Sequence, residues 1–184
     1  MSGFRSITPS INVNTESGQL RTELLNTFSR LDGQLSLAPF RAFTPTVGPV
    51  LSTLAAETDL LTTNIDVGTF SKQGSSILIF AAGKTAANGN NKTINLYFGG
   101  TQIFTTGAFA GNDVSWTLQA EIIRNGAAAQ VTYGQFFGSA TLTSKIQVGT
   151  AAVSLAAQQV LKLTGQGTTT GDVIAYYWKG LLLT

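Results

Sequence analysis

From Glu57 onward the chain is a succession of short runs in which apolar and polar residues alternate, with no helical period between them. The clearest run sets Trp116, Leu118, Ala120 and Ile122 against Ser115, Thr117, Gln119 and Glu121. A period of two puts one set on a buried face and the other in solvent, so this run predicts a two-faced strand. Similar runs span residues 60–67, 76–82, 93–98, 102–105, 130–136, 140–148, 159–164 and 173–178. Turn chemistry separates most of them: Asn88-Gly89-Asn90-Asn91, Gly99-Gly100, Gly111-Asn112-Asp113, Asn125-Gly126 and Gly165-Gln166-Gly167. Gly99-Gly100 is the best tight hairpin, because two-residue loops need positive φ. About eight or nine short strands at this spacing predict a mainly β fold, an antiparallel sandwich. A jelly-roll-like sandwich fits that count better than the seven-stranded immunoglobulin pattern, for which a cysteine pair would be expected.

Composition narrows the chemistry. The 184 residues include no histidine and no cysteine, and charged residues make up 11%. Most nucleophilic, general-base and transition-metal chemistry begins with His or Cys, so the expectation is a protein that is not an enzyme and takes no cofactor. The formal charge is +2, and the basic residues are scattered from Arg5 to Lys179 with no run that could track a phosphate backbone. Nucleic-acid binding is therefore not expected. No stretch is long and apolar enough for a membrane span, and the opening MSGFRSITPSINVN lacks the pattern of a secretion signal. Low charge on a mean hydropathy of +0.19 predicts a subunit whose flanks are covered by copies of itself or by a larger assembly.

Three regions are expected: an attachment arm and helix over residues 1–35, a Pro-rich connector over 36–56, and the β-sandwich over 57–184. Residues 1–14 read as an extended arm. Residues 15–35 read as one short amphipathic α-helix, with Thr15 or Ser17 as N-cap and Asp32-Gly33 as stop. Leu24, Phe28, Leu31 and Leu35 follow 4-3-4 spacing, an apolar seam of a-and-d type. The seam suits either a helix packed on its own domain or another protein, or a short bundle at an oligomer axis. Pro39, Pro45 and Pro49 make the following stretch a semi-rigid connector.

Candidate sites are few. Ala82-Gly83-Lys84-Thr85 resembles the end of a phosphate-binding loop, but the glycine needed five residues earlier is Leu78, so a turn is the better reading. Two carboxylates facing across a sugar would suffice for a glycosidase. Glu57, Asp59 and Asp66 could gather round a hard cation, although their spacing matches no defined loop. Tyr176-Tyr177-Trp178 sets three aromatics on alternating faces, and Tyr176 and Trp178 are the candidates for stacking on a sugar or a neighbouring subunit.

The stretches AAETDLL, KTINLYFGGTQIFTTG, SWTLQAEIIRNGAAAQVTYGQF and LKLTGQGTTTGDVIAYYW resemble a module of tailed-bacteriophage virion proteins. In that module a Leu-Tyr-Phe-Gly-Gly strand-turn precedes a Trp-centred strand and a Thr-Gly-Gln-Gly loop. The resemblance covers roughly residues 55–180. It implies a small fibre, spike or head-decoration protein located in the virion, with a jelly-roll-like β-domain that is commonly trimeric. On that reading Leu24, Phe28, Leu31 and Leu35 meet their copies about a threefold axis. The N-terminal arm would then anchor the homotrimer to other virion proteins of capsid or tail. A host-surface glycan is a possible ligand. A carbohydrate- or receptor-binding module and a polysaccharide depolymerase spike are the alternatives.

Overall fold

A computed structural model describes residues 46–53, 56–139 and 144–183, with side chains from Val50 onward. The expected arm, the helix with Leu24, Phe28, Leu31 and Leu35, and the first part of the connector lie outside the described residues. Among the described residues there is no helix, and hence none long and apolar enough to cross a membrane.

The elements are β1 (Thr46–Leu51), β2 (Thr58–Ile65), β3 (Ser76–Thr85), β4 (Asn91–Phe98), β5 (Thr101–Thr105), β6 (Phe109–Ala110), β7 (Ser115–Gly126), β8 (Ala129–Gly138), β9 (Lys145–Ala151), β10 (Gln159–Gln166) and β11 (Val173–Leu183). They form two antiparallel sheets in a sandwich. One has six strands in the order β1-β11-β3-β7-β8-β9; the other runs β2-β10-β4-β5, with β6 paired to β4. The chain changes sheet at β1–β2, β2–β3, β3–β4, β6–β7, β9–β10 and β10–β11, so hydrophobic runs distant in sequence meet in one core.

Inward-facing rows of both sheets build that core. Ile79, Leu118 and Trp178 from the larger sheet join Leu96, Phe98 and Leu161 from the smaller. Aromatic contacts tie it together: Trp116 stacks on Phe136 at 6.2 Å between centroids, and Phe70 meets Phe98 edge-on at 5.8 Å. The Trp116 indole lies against Gly83. A Cβ there would fall 2.3 Å from the ring and 2.0 Å from the Ile174 carbonyl oxygen. Gly83 is thus a packing residue inside β3, and the phosphate-loop resemblance has no loop behind it.

Gly99 and Gly100 form the β4–β5 hairpin with φ of 54° and 80°, the positive pair that a type I′ turn demands. The β7–β8 turn falls at Ala127-Ala128 rather than at Asn125-Gly126, because Asn125 is an extra residue in the ladder: Arg124 faces Gln130 and Gly126 faces Ala129.

β1 lies inside the segment read as a connector. It pairs with β11 at the sheet edge, and its register shifts between Val47 and Val50, across Gly48 and Pro49. An edge strand with an irregularity is where proline, which has no N–H to give, is tolerated. Bulges also interrupt the edge strands β2, at Leu60, and β5, at Ile103. Only the fourth edge is regular: β9 pairs residue for residue with β8 from Gln130↔Ala151 to Phe136↔Lys145.

Candidate functional site

The densest set of interacting polar side chains on an outer face lies on the smaller sheet. Alternation turns Asn95 and Tyr97 of β4, Lys162 and Thr164 of β10, and Gln102 of β5 outward, and Glu57 enters from the residue before β2. The registers bring them together: Lys162 faces Tyr97, Thr164 faces Asn95, and Tyr97 faces Gln102.

Glu57 is the hub. Its Oε1 accepts from Asn95 Nδ2 at 2.8 Å and from the Thr164 hydroxyl, and its Oε2 accepts from the Tyr97 hydroxyl at 3.2 Å. Gln102 Nε2 donates to the Tyr97 oxygen at 3.3 Å. Lys162 Nζ is 2.9 Å from Asp59 Oδ1 and 5.5 Å from the Tyr97 ring centroid. Burial alone would raise the Glu57 pKa, but the hydrogen bonds from Thr164, Asn95 and Tyr97, with the charge of Lys162, outweigh it and hold the carboxyl below its ordinary value. The Tyr97 hydroxyl moves up, through burial and then through Glu57. Lys162 moves up because it donates to Asp59. The cluster therefore combines a fixed anion, a cation, a primary amide and a phenol ring. Such a set recognises a polyhydroxylated ligand by hydrogen bonds and ring contact. It is ill suited to acid catalysis, where a carboxyl must be kept protonated near neutral pH.

A second polar cluster closes one end of the sandwich. Asp172, fully buried, accepts from the backbone N–H groups of Thr168 and Thr169 at 2.7 and 2.8 Å, from Asn88 Nδ2 at 2.7 Å and from Thr169 Oγ1 at 2.9 Å. Asn90 Nδ2 adds a bond of 3.1 Å. Burial would raise the Asp172 pKa, yet these donors drive it far below the carboxylate range. Lys92, 1% exposed, donates from Nζ to the Asn88 carbonyl, Asn88 Oδ1 and the Asn90 carbonyl at 3.1, 2.8 and 2.9 Å. Burial lowers its pKa, and Asp172 partly counters that. Asn88 bridges the two charges. The cluster is satisfied internally and fixes the β3–β4 and β10–β11 loops.

Of the residues singled out in the sequence, Trp178 is corrected. It is 2% exposed, faces Ala81 in the core, and offers no surface for stacking. The cause is a bulge: Ala175 faces Gly83 and Tyr177 faces Ala82, so Tyr176 has no partner on β3. The extra residue breaks the parity that would have put Tyr176 and Trp178 on one face. Tyr176 alone is exposed, at 43%. Glu57 and Asp59 both approach Lys162, whereas Asp66 lies at the other end of β2 and accepts from Gln158 Nε2 at 2.6 Å. Among the described residues no three acidic side chains gather as a metal site. Lys84 pairs with Asp113 at 2.6 Å on the surface.

No family model matches the chain, and no curated protein matches it. Among solved structures it is similar to the infectious bursal disease virus VP2 subviral particle, at 16% identity and a TM-score of 0.19. That match covers 78% of this chain and 42% of the other, less than half its length. A similarity of that size carries no argument about fold or function.

Proposed function

We propose that this chain is a structural component of a bacteriophage particle, a trimeric fibre, spike or decoration protein that is anchored by its N-terminal region and displays the β-domain. The observation that carries the reading is the strand order. The rows β1-β11-β3-β7 and β2-β10-β4-β5, with β8 and β9 as a hairpin at one edge, follow the strand order expected of a jelly roll and so support that reading of the sandwich. That order supports the module resemblance in the sequence, and both fit a part built for display and packing. Its action is mechanical: it stabilises the particle, holds it to a host surface, or both. It is not catalytic on this reading, in which the Glu57 carboxylate is taken up by hydrogen bonds from Asn95, Thr164 and Tyr97.

A second reading has its own observation. The Glu57–Tyr97–Gln102–Lys162 cluster favours binding of a host glycan through the smaller sheet, in place of the Tyr176 and Trp178 pair expected from sequence.

Mass spectrometry of gradient-purified particles from the chain's own source tests the first reading. Co-purification of the chain in a copy number divisible by three is the expected result, and its absence from particles refutes the proposal. Glycan-array binding by the full chain that is lost in Tyr97→Ala and kept in Tyr176→Ala supports the second reading. No array signal refutes it.

A further inference from the structure

Asparagine followed by glycine occurs twice in the chain, at Asn88-Gly89 and at Asn125-Gly126. In such a pair the glycine's backbone nitrogen can attack the asparagine Cγ, because no Cβ hinders the rotation that brings the two atoms together. The new C–N bond closes a five-membered succinimide while the bond from Cγ to Nδ2 breaks. Ammonia leaves, carrying the proton that the glycine nitrogen gives up. Water then opens the ring. Cleavage at the main-chain carbonyl carbon yields isoaspartate, and cleavage at Cγ yields aspartate. We propose that Asn125 is a site of this spontaneous modification, and that the Lys92–Asp172 cluster bars Asn88 from it.

The two pairs share a sequence and differ in everything the reaction needs. Asn125 is the extra residue of the β7 ladder: Arg124 faces Gln130, Gly126 faces Ala129, and Asn125 faces no residue of β8. It is exposed, and among the described residues no hydrogen bond holds its side-chain amide. The carboxamide is free to swing over the Gly126 nitrogen, and water has open access to the ring that follows.

Asn88 is held at both ends of its carboxamide. Nδ2 donates to Asp172 Oδ1 at 2.7 Å, and Oδ1 accepts from Lys92 Nζ at 2.8 Å and from the Asn90 N–H at 3.1 Å. Asp172 is itself anchored by the Thr168 and Thr169 N–H groups, and Lys92 by the Asn88 and Asn90 carbonyls. Bringing Cγ onto the Gly89 nitrogen would break three hydrogen bonds at once, two of them to charged groups and so among the strong ones. A displacement of about 1 Å from the reacting geometry costs roughly 100-fold in rate. The buried charges thus protect a chemically fragile turn as well as fixing it.

The modification at Asn125 falls on a joint of the fold. Isoaspartate routes the main chain through Cβ, which adds one carbon between Arg124 and Gly126 and sets a carboxylate beside them. Arg124 ties this hairpin to the β2–β3 connection. Its Nε donates to the Gly126 carbonyl at 3.3 Å, its guanidinium to the Phe70 carbonyl, and its backbone N–H to the Ser75 carbonyl at 2.9 Å. The added carbon shifts Gly126 against that fastening.

The test is mass-spectrometric mapping of the full chain after storage in warm, mildly alkaline buffer, with pepsin digestion in acid to stop the reaction. The peptide holding Asn125 is expected to gain about 1 Da and to become a substrate of protein isoaspartyl methyltransferase. The peptide holding Asn88 is expected to react at least about tenfold more slowly. In guanidinium chloride, where the fold is lost, the two sites are expected to react at comparable rates. Gly126→Ala, whose Cβ would come no nearer than 3.4 Å to Ala129, is expected to slow Asn125 about tenfold. Lys92→Met keeps the alkyl stem, removes the ammonium, and is expected to open Asn88 to the reaction. Asn88 that keeps pace with Asn125 in the folded wild type overturns the proposal. So does Asn125 that stays intact in the folded chain while it reacts in guanidinium chloride. A folded Lys92→Met chain with Asn88 as inert as before removes the cluster's protective role. Should that variant fail to fold, the folded and unfolded wild type decide the matter between them.

Discussion

The two outer faces of the sandwich share one core and differ in almost everything else. Over the smaller sheet, hydrogen bonds that cross three strands link Glu57, Asn95, Tyr97 and Gln102, Lys162 pairs with Asp59, and within this set Asn95 Oδ1 is left buried without a partner. Over the larger sheet, the outward rows of β3, β8, β9 and β11 carry Leu78, Phe80, Val131, Tyr133, Ile146, Val148 and Leu181, and only the β7 row between them, Ser115, Thr117, Gln119 and Glu121, is wholly polar. A surface whose polar groups are mutually bonded is finished as it stands. One whose apolar rows face water is stabilised by being covered. The difference teaches that alternation along a strand reports only which side is inside; the character of the outside has to be read strand against strand.

Four substitutions probe that contrast. The largest effect belongs to the core beneath both faces. Gly83→Ala drives a methyl into the Ile174 carbonyl and the Trp116 indole, and is expected to cost more than about 3 kcal/mol in urea unfolding. Loss of only one face in that variant would show that the sheets fold separately.

Next is Asp172→Asn. It turns one carboxylate oxygen into an NH2 group, which faces donors whichever way the amide lies, the Thr168 and Thr169 N–H groups on one side or Asn88 Nδ2 and Thr169 Oγ1 on the other, for an expected loss of about 3 kcal/mol. Because the folded pKa of Asp172 lies below its ordinary 3.8, its contribution is complete above that pH and disappears as acid approaches the folded value. Denaturation midpoints of wild type and variant should therefore converge on acidification.

Glu57→Gln, on the polar face, is expected to cost about 1 kcal/mol, reduced by its contact with solvent. The sign of its pH dependence is the same, with the loss beginning near the ordinary value of 4.5 and growing as pH falls. A variant that melts like wild type at pH 7 would show that the polar face is not the finished surface described above.

Smallest is Ile146→Lys, at an exposed position on the edge strand β9. There the side chain touches little, and unfolding should shift by less than about 0.5 kcal/mol. A larger loss would mean that Ile146 supports its own subunit, and the contrast between the faces would narrow.

The strands were legible because their alternation is local: the run from Ser115 to Ile122 and the Gly99-Gly100 turn announce themselves within a few residues. β1 was not, because Pro49 and Gly48 give no strand signal and the segment is fixed by its pairing to β11, more than 120 positions away in the chain. Trp178 was misplaced for a related reason, since nothing in Tyr176-Tyr177-Trp178 reveals that Tyr176 is bulged. The polar cluster had no local mark either. Glu57 stood out only as a carboxylate, and its neighbours Asn95 and Thr164 arrive from strands β4 and β10 through register alone. The exposed apolar rows were signalled in bulk by low charge, but which strands carried them, and that the polar row of β7 parts them, depended on the order of the sheet.

The ammonium of Lys92 has a consequence outside the fold itself. Held by three oxygens from Asn88 and Asn90, it occupies the kind of oxygen-lined position that a loop often gives to a calcium ion. A cation carried on the polypeptide is never lost to dilution or to a chelating medium. The end of the domain where these loops meet therefore holds its shape through the polypeptide's own charge, with no call on the ionic supply around it.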